Sequence, residues 1–313
     1  MSEEQSKKEL EEKAKTIMER MSEIIANAKG EEDKKAFDKP IDVTLNALVT
    51  KPTENLKRKA ILGFPTYTFI DDLFLDNNES SIKGVPCGSN SILVGIPNTG
   101  KSLLLMEIAL RVANSGKKVL FATSEEIFKS EFARYDLESR MKEKADLLGL
   151  DWKVISQNLY VLDVITHSDL REWTTFVSTY RALIEKEGIS LTLIDSLTLL
   201  EDTRGQLKYR LSELIKYNQR HGINAIYISQ RSGDDPDSIG SLAGGIALSH
   251  ITDIVFEMDA KKVSSWDSAL KQDIPSAKQG IEVYFFKVLK NRLTRFNGKY
   301  IGYTITKDGL IKV

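Results

Sequence analysis

One string constrains this chain more than any other: Gly95-Ile96-Pro97-Asn98-Thr99-Gly100-Lys101-Ser102, which fits the pattern G-x-x-x-x-G-K-[ST]. The glycines permit a tight loop whose backbone N–H groups wrap phosphates, and the N-terminus of a following helix adds its positive dipole end. Lys101 would reach the β- and γ-phosphates of a nucleoside triphosphate, and the Ser102 hydroxyl would ligate Mg²⁺. The flanks have the character such a loop needs. Residues 91–95 read as a strand and residues 101–114 as a helix that stops at Gly116, so the phosphate-binding segment runs from Gly95 through Leu103.

The surrounding pattern alternates short β-rich runs with amphipathic helices, which argues for an α/β fold with a mostly parallel central sheet. Strands are expected at 118–123, 159–164, 191–194 and 225–229, with helices at 127–148, at 169–186 and around Leu207, Leu211, Leu214 and Ile215. The tail changes character: 254–258, 281–289, 300–306 and 310–313 look like successive antiparallel strands, the last two joined across Lys307-Asp308-Gly309. Residues 260–280, with Lys261, Lys262 and Trp266, look like a mobile loop or binding element inserted between two of these strands.

Three strand ends should meet the phosphate loop at one edge of the sheet, where ligands bind in open α/β folds. Leu193-Ile194-Asp195 delivers a carboxylate that would hold Mg²⁺ together with Ser102. Thr123-Ser124-Glu125-Glu126 brings a pair of carboxylates. Either would orient and polarise an attacking water, with Glu126 ahead of Glu125, or the pair simply favours the first turn of a helix. Gln230, at the end of another strand, would sense the γ-phosphate or lie as a surface amide.

The first 58 residues stand apart from the domain expected over 59–313. Leu10, Ala14, Ile17, Met21, Ile24 and Ala28 form a heptad-like stripe that suits an amphipathic helix on its own domain or a short coiled coil with a protein partner, and a polar connector with Pro40 and Pro52 follows. Composition narrows the rest. A chain of 313 residues with 41% hydrophobic and 28% charged residues is globular rather than disordered, and a net charge of −1 supplies no global field for nucleic acid. The single cysteine, Cys87, excludes an intramolecular disulfide and a cysteine-based metal cluster. His167, His221 and His250 are scattered without metal-ligand spacing, and Trp152, Trp173 and Trp266 read as packing residues, Trp266 also as a partner contact. With no apolar run of membrane-spanning length and no apolar signal core, the expectation is a cytoplasmic protein without a membrane partner.

The order of these pieces resembles the RecA/RadA superfamily of ATPases, and within it single-domain KaiC-like proteins. The resemblance rests on Gly84-Val85-Pro86-Cys87-Gly88-Ser89 before the phosphate loop, the Glu125-Glu126 pair, Leu193-Ile194-Asp195-Ser196-Leu197-Thr198 and Leu148-Gly149-Leu150-Asp151-Trp152. It implies a RecA-like core, ATP with Mg²⁺ bound at subunit interfaces, and a homo-oligomer, ring or filament. It also implies that Lys290 and Arg292, in Lys290-Asn291-Arg292, reach the neighbouring subunit's ATP, where residue type alone suggests a basic strand end in solvent. By the same resemblance, loops at 202–206 and 231–246 would face single-stranded DNA. The second carries only Arg231 against Asp234, Asp235 and Asp237, although its Ser241–Gly245 stretch would still offer backbone N–H groups to a phosphate. Three functions remain from the sequence: an ATPase that couples hydrolysis to partner switching, a recombinase paralogue assisting DNA repair, and a nucleotide-sensing scaffold with little turnover.

Overall fold

Buried on every residue, the strand that feeds the phosphate loop lies in the middle of the sheet. The computed structural model describes residues 60–132, 136–200, 206–230, 246–306 and 309–313. The expected N-terminal helix and connector, the loops expected at 202–206 and 231–246 apart from Gln206 and Ile246, and the Lys307-Asp308 turn therefore lie outside the described residues.

Three two-residue strands, β1 (Gly63–Phe64), β2 (Phe74–Leu75) and β3 (Val85–Pro86), precede β4 (Asn90–Gly95). Helix α1 (Lys101–Asn114) and β5 (Val119–Thr123) follow, then α2 (Leu137–Leu147), α3 (Trp152–Asn158) and β6 (Leu159–Asp163). Next come α4 (Trp173–Glu187), β7 (Leu191–Asp195), α5 (Gln206–His221) and β8 (Asn224–Gln230). The final part comprises α6 (Ile246–Ile251), β9 (Ile254–Lys262), α7 (Ser268–Asp273), β10 (Glu282–Asn291), β11 (Arg295–Phe296), β12 (Ile301–Thr306) and β13 (Gly309–Lys312).

Among the described residues nine strands form the main sheet, in the order β13-β12-β10-β9-β4-β8-β7-β5-β6. The six from β9 to β6 are parallel, and β10, β12 and β13 add an antiparallel meander. Because both faces of the parallel half are covered, its strands read as near-continuous apolar runs. On one face Leu104, Leu105 and Ile108 of α1 pack with Met141 of α2 and Ile155 of α3; on the other Phe176 and Tyr180 of α4 pack with Leu211 and Leu214 of α5. In consequence Gly95, Thr123, Asp195 and Gln230 all end on the same edge, with Thr123 opposite Asp195 and Gly95 opposite Gln230.

Four expectations need correction. Residues 127–132 are not helical. The Asp163 carboxylate accepts the Phe128 N–H at 2.8 Å and pins the segment, and the helix starts only after Asp136, whose side chain caps the Ser139 N–H at 2.8 Å. Residues 168–171 form a 3₁₀ turn, separate from α4. The insertion is shorter than 260–280, because β9 continues to Lys262 and pairs there with Glu282 of β10. What remains carries α7 and its own apolar cluster of Val263, Leu270, Ile274, Ala277, Val283 and Phe285. Trp266 is 90% exposed there, so it is not a packing residue.

Candidate functional site

The phosphate loop is shaped by two glycines that nothing else replaces. A Cβ on Gly95 would lie 1.7 Å from the Met258 carbonyl oxygen of β9, and Gly100 caps α1 with φ +88°. Within the loop the Thr99 hydroxyl donates to the Ile96 carbonyl at 3.0 Å. Lys101 is buried, and its ammonium donates to the Gly95 and Ile96 carbonyls at 3.0 and 2.6 Å. Burial lowers its pKa, while the nearby carboxylates of Asp195, Glu125 and Asp259 oppose the shift. An ammonium parked on its own loop's carbonyls is a cation held ready for a stronger acceptor.

A cavity of about 450 Å³ opens at this edge, lined in part by Lys101, Ser102, Glu125, Arg140, Asp195 and Gln230. Pro97, Asn98, Gly100 and Leu103 also border it. Asp195 is 6% exposed, and the peptide bond that follows it is cis. Its Oδ1 is buried without a hydrogen-bond partner. Burial pushes its carboxyl up to about 6, with Glu125 and Glu126 acting in the same sense and the Ser102 hydroxyl and Lys101 against it. An orphaned carboxylate oxygen beside a serine hydroxyl fits Mg²⁺, which takes few protein ligands and fills its shell with phosphate oxygens and water. Among the described residues no cluster of three or more His, Cys, Asp or Glu side chains supplies an all-protein cage.

This raised acidity gives a stability prediction. Because the folded pKa of about 6 lies above the ordinary aspartate value of 3.8, the fold binds this proton more tightly than the unfolded chain does. The contribution of Asp195 is therefore favourable at low pH and is lost as pH rises toward 6. Asp195→Asn should make the nucleotide-free protein more stable than wild type at pH 7.5, by on the order of 2 kcal/mol, and not at pH 4. Thermal unfolding at the two pH values checks this; equal differences at both would refute it.

The two glutamates part company. Glu125 lines the cavity, and its Oε1 accepts the Ser196 hydroxyl at 2.8 Å. Glu126 turns to an ion pair with Arg140. Lys290 and Arg292 lie elsewhere, at the opposite end of β4: Lys290 pairs with Val255 and Asn291 with Ile254, which sit beside Ile92 and Ser91. Ile92 and Ser91 lie three and four residues before Gly95, so the pair stands about 10 Å or more along the strand direction from its own phosphate loop. Lys290 is half-buried, and Arg292, although 44% exposed, is engaged by the protein. The Lys290 ammonium donates to the carbonyls of Ser249 and of Thr252, the latter at 2.9 Å. Arg292 pairs with buried Asp253 at 2.9 Å and donates to the His250 and Ile251 carbonyls at 3.3 and 3.1 Å. Both cations thus sit on the carbonyl end of α6.

Sequence reasoning missed Arg140, Ile228 and Ile305 in the cavity wall. None carries a local motif; each reaches the site only because its element is packed beside the loop.

Comparison with known proteins agrees with this geometry. The sequence model of the family described as "ATPase: KaiC" matches residues 66–313. The chain is 26% identical over 200 residues to the DNA repair protein RadA of Campylobacter jejuni, covering 60% of this chain and 38% of that protein. It is also 26% identical over 241 residues to RadA of Aquifex aeolicus, covering 74% and 43%. The chain thus spans about two-fifths of the length of these relatives. The crystal structure of a KaiC-like protein from Pyrococcus horikoshii shares the fold, with a TM-score of 0.56 at 17% identity over 82% of this chain and 99% of that one. The phosphate loop and the α/β fold expected from the sequence are those of a RecA/RadA-superfamily P-loop ATPase, and the chain belongs to the KaiC ATPase family.

Proposed function

We propose that this chain binds Mg-ATP in the cavity at the phosphate loop, hydrolyses it, and shares the reaction between copies of itself in a homo-oligomer. The observation that carries the reading is the meeting of Lys101, Ser102, Glu125 and Asp195 around one cavity, with the Asp195 Oδ1 left unpaired. The loop's N–H groups and Lys101 bind the phosphates. Ser102 and Asp195 are the residues that would hold Mg²⁺, which when bound neutralises charge on the β- and γ-phosphates. Glu125 orients the attacking water and takes its proton. Its place in the cavity wall, while the Glu126 carboxylate is taken up by Arg140, favours it as the base. Gln230 contacts the γ-phosphate from the end of β8.

Lys290 and Arg292 act on a neighbour's nucleotide, because they stand toward the other end of β4 from their own. Cations supplied by a second subunit offset charge on the transferred phosphoryl group and tie hydrolysis to assembly. The assembly uses that cycle to switch conformation or partners.

Lys101→Ala tests the reading directly. The loop lies at a sheet edge, so the variant should fold, lose at least about tenfold in ATP affinity and release little phosphate. A folded variant with undiminished ATP binding and steady-state phosphate release would overturn the site. A wild-type protein that binds ATP without releasing phosphate would instead be a nucleotide-sensing scaffold.

A second reading, assistance in DNA repair, is favoured by the name of the RadA relatives. Single-stranded DNA binding that weakens steeply with salt would support it.

A further inference from the structure

The phosphate loop is held from behind by a side chain two hundred residues away. Tyr303 of β12 is 2% exposed and donates its hydroxyl to the Thr99 carbonyl at 2.7 Å. Thr99 is itself 1% exposed, and burial raises the Tyr303 phenol, so it stays a donor far into the alkaline range. The Thr99–Gly100 peptide is trans, and in a planar trans peptide the C=O and the N–H point in opposite directions. Fixing the Thr99 oxygen against Tyr303 therefore aims the Gly100 N–H the other way. Gly100 borders the cavity and Tyr303 does not. The same hairpin packs on this glycine: a Cβ there would lie 3.2 Å from Leu310 and 3.4 Å from Ile305.

We infer that Tyr303 is a positioning residue for nucleotide: its hydroxyl sets the Thr99–Gly100 peptide so that the Gly100 N–H faces the phosphates before they arrive. This rests on the nucleotide site proposed above and adds to it a residue from outside the loop. Pre-set donors cost no reorganisation on binding, so removing the clamp lowers affinity without altering the reacting groups. An N–H on phosphates that do not react contributes equally in ground and transition states, which places its loss in KM rather than kcat.

The test uses the full chain and compares Tyr303→Phe with Tyr284→Phe, which removes a hydroxyl from the cross-strand neighbour of Tyr303. Calorimetric titration with Mg-ADP and steady-state hydrolysis of ATP are the readouts. In Tyr303→Phe the ADP Kd and the ATP KM should rise together by about five- to tenfold, with kcat within about twofold of wild type. Tyr284→Phe should keep wild-type values. In wild-type protein the Gly100 amide proton resonance should move downfield on adding ADP, which needs no variant. Unchanged ADP affinity in folded Tyr303→Phe, even with a lowered Tm, would reduce Tyr303 to a packing role and overturn the inference. An unmoved Gly100 resonance in ADP-bound wild type would do the same. Failure of wild type to bind ADP at all would instead remove the nucleotide site itself, and this inference with it.

Discussion

Glu125→Gln should bind Mg-ATP with near-native affinity and hydrolyse it about 10²–10⁴-fold more slowly. The amide keeps the shape of the side chain and an acceptor oxygen for the Ser196 hydroxyl, now 2.8 Å from Glu125 Oε1, so the loss is that of the base. Glu126→Gln should cost only a few-fold, because its ion pair with Arg140 is well exposed to solvent, at 39% and 40% of the two side chains. Single-turnover phosphate release with saturating ATP separates the two. If Glu126→Gln is the slow variant, the assignment within the pair is reversed; if neither is slow, the base lies elsewhere.

Arg292→Ala should bind ATP in its own loop and lose about 10³-fold or more in turnover, the scale on which a cation donated in trans acts. Mixed under conditions of subunit exchange with Lys101→Ala, it should regain activity, since some interfaces then combine an intact loop with an intact Arg292. Co-migration of tagged and untagged chains establishes the exchange. Removing this side chain also leaves the Asp253 carboxylate with the Asn90 N–H but without its cation, so the Tm of the variant must be measured alongside. A fully active Arg292→Ala protein, or absence of rescue despite exchange, would confine Arg292 to its place on the end of α6.

The sequence made the strand, loop and helix from Asn90 to Asn114 legible because all the information is local: an apolar run, glycines where the backbone must turn, and an amphipathic period. Asp195 was legible for the same reason, as an acid at the end of a strand buried on both faces. The distinction between Glu125 and Glu126 was not. Past the end of a strand the period of two stops applying, and the direction of each side chain is set by Ser196 and Arg140, which come from other elements. Residues 127–132 failed as a helix because distant groups hold their backbone: Asp163 of β6 accepts the Phe128 N–H, and the Ile127 and Phe128 carbonyls accept from Leu137 and Glu138 of α2. The engagement of Lys290 and Arg292 with α6 was hidden too, since it joins a strand end to backbone groups some forty residues earlier.

The position of β4 in the sheet bears on when the phosphate loop comes into being as the chain is made. Its two neighbours are β8 and β9, and both are synthesised more than 120 residues after it. A nascent chain that has just emitted Gly95–Ser102 has neither the strand that Gly95 lies beside nor the Met258 carbonyl against which it fits. The meander β9-β10-β12-β13 consists of near neighbours in sequence and closes quickly once emitted, whereas the parallel pairings of β4 wait on long crossovers. A ribosome halted before residue 254 therefore holds a chain with the full sequence of the phosphate loop and no finished site, so nucleotide capture is a late event in the birth of this protein.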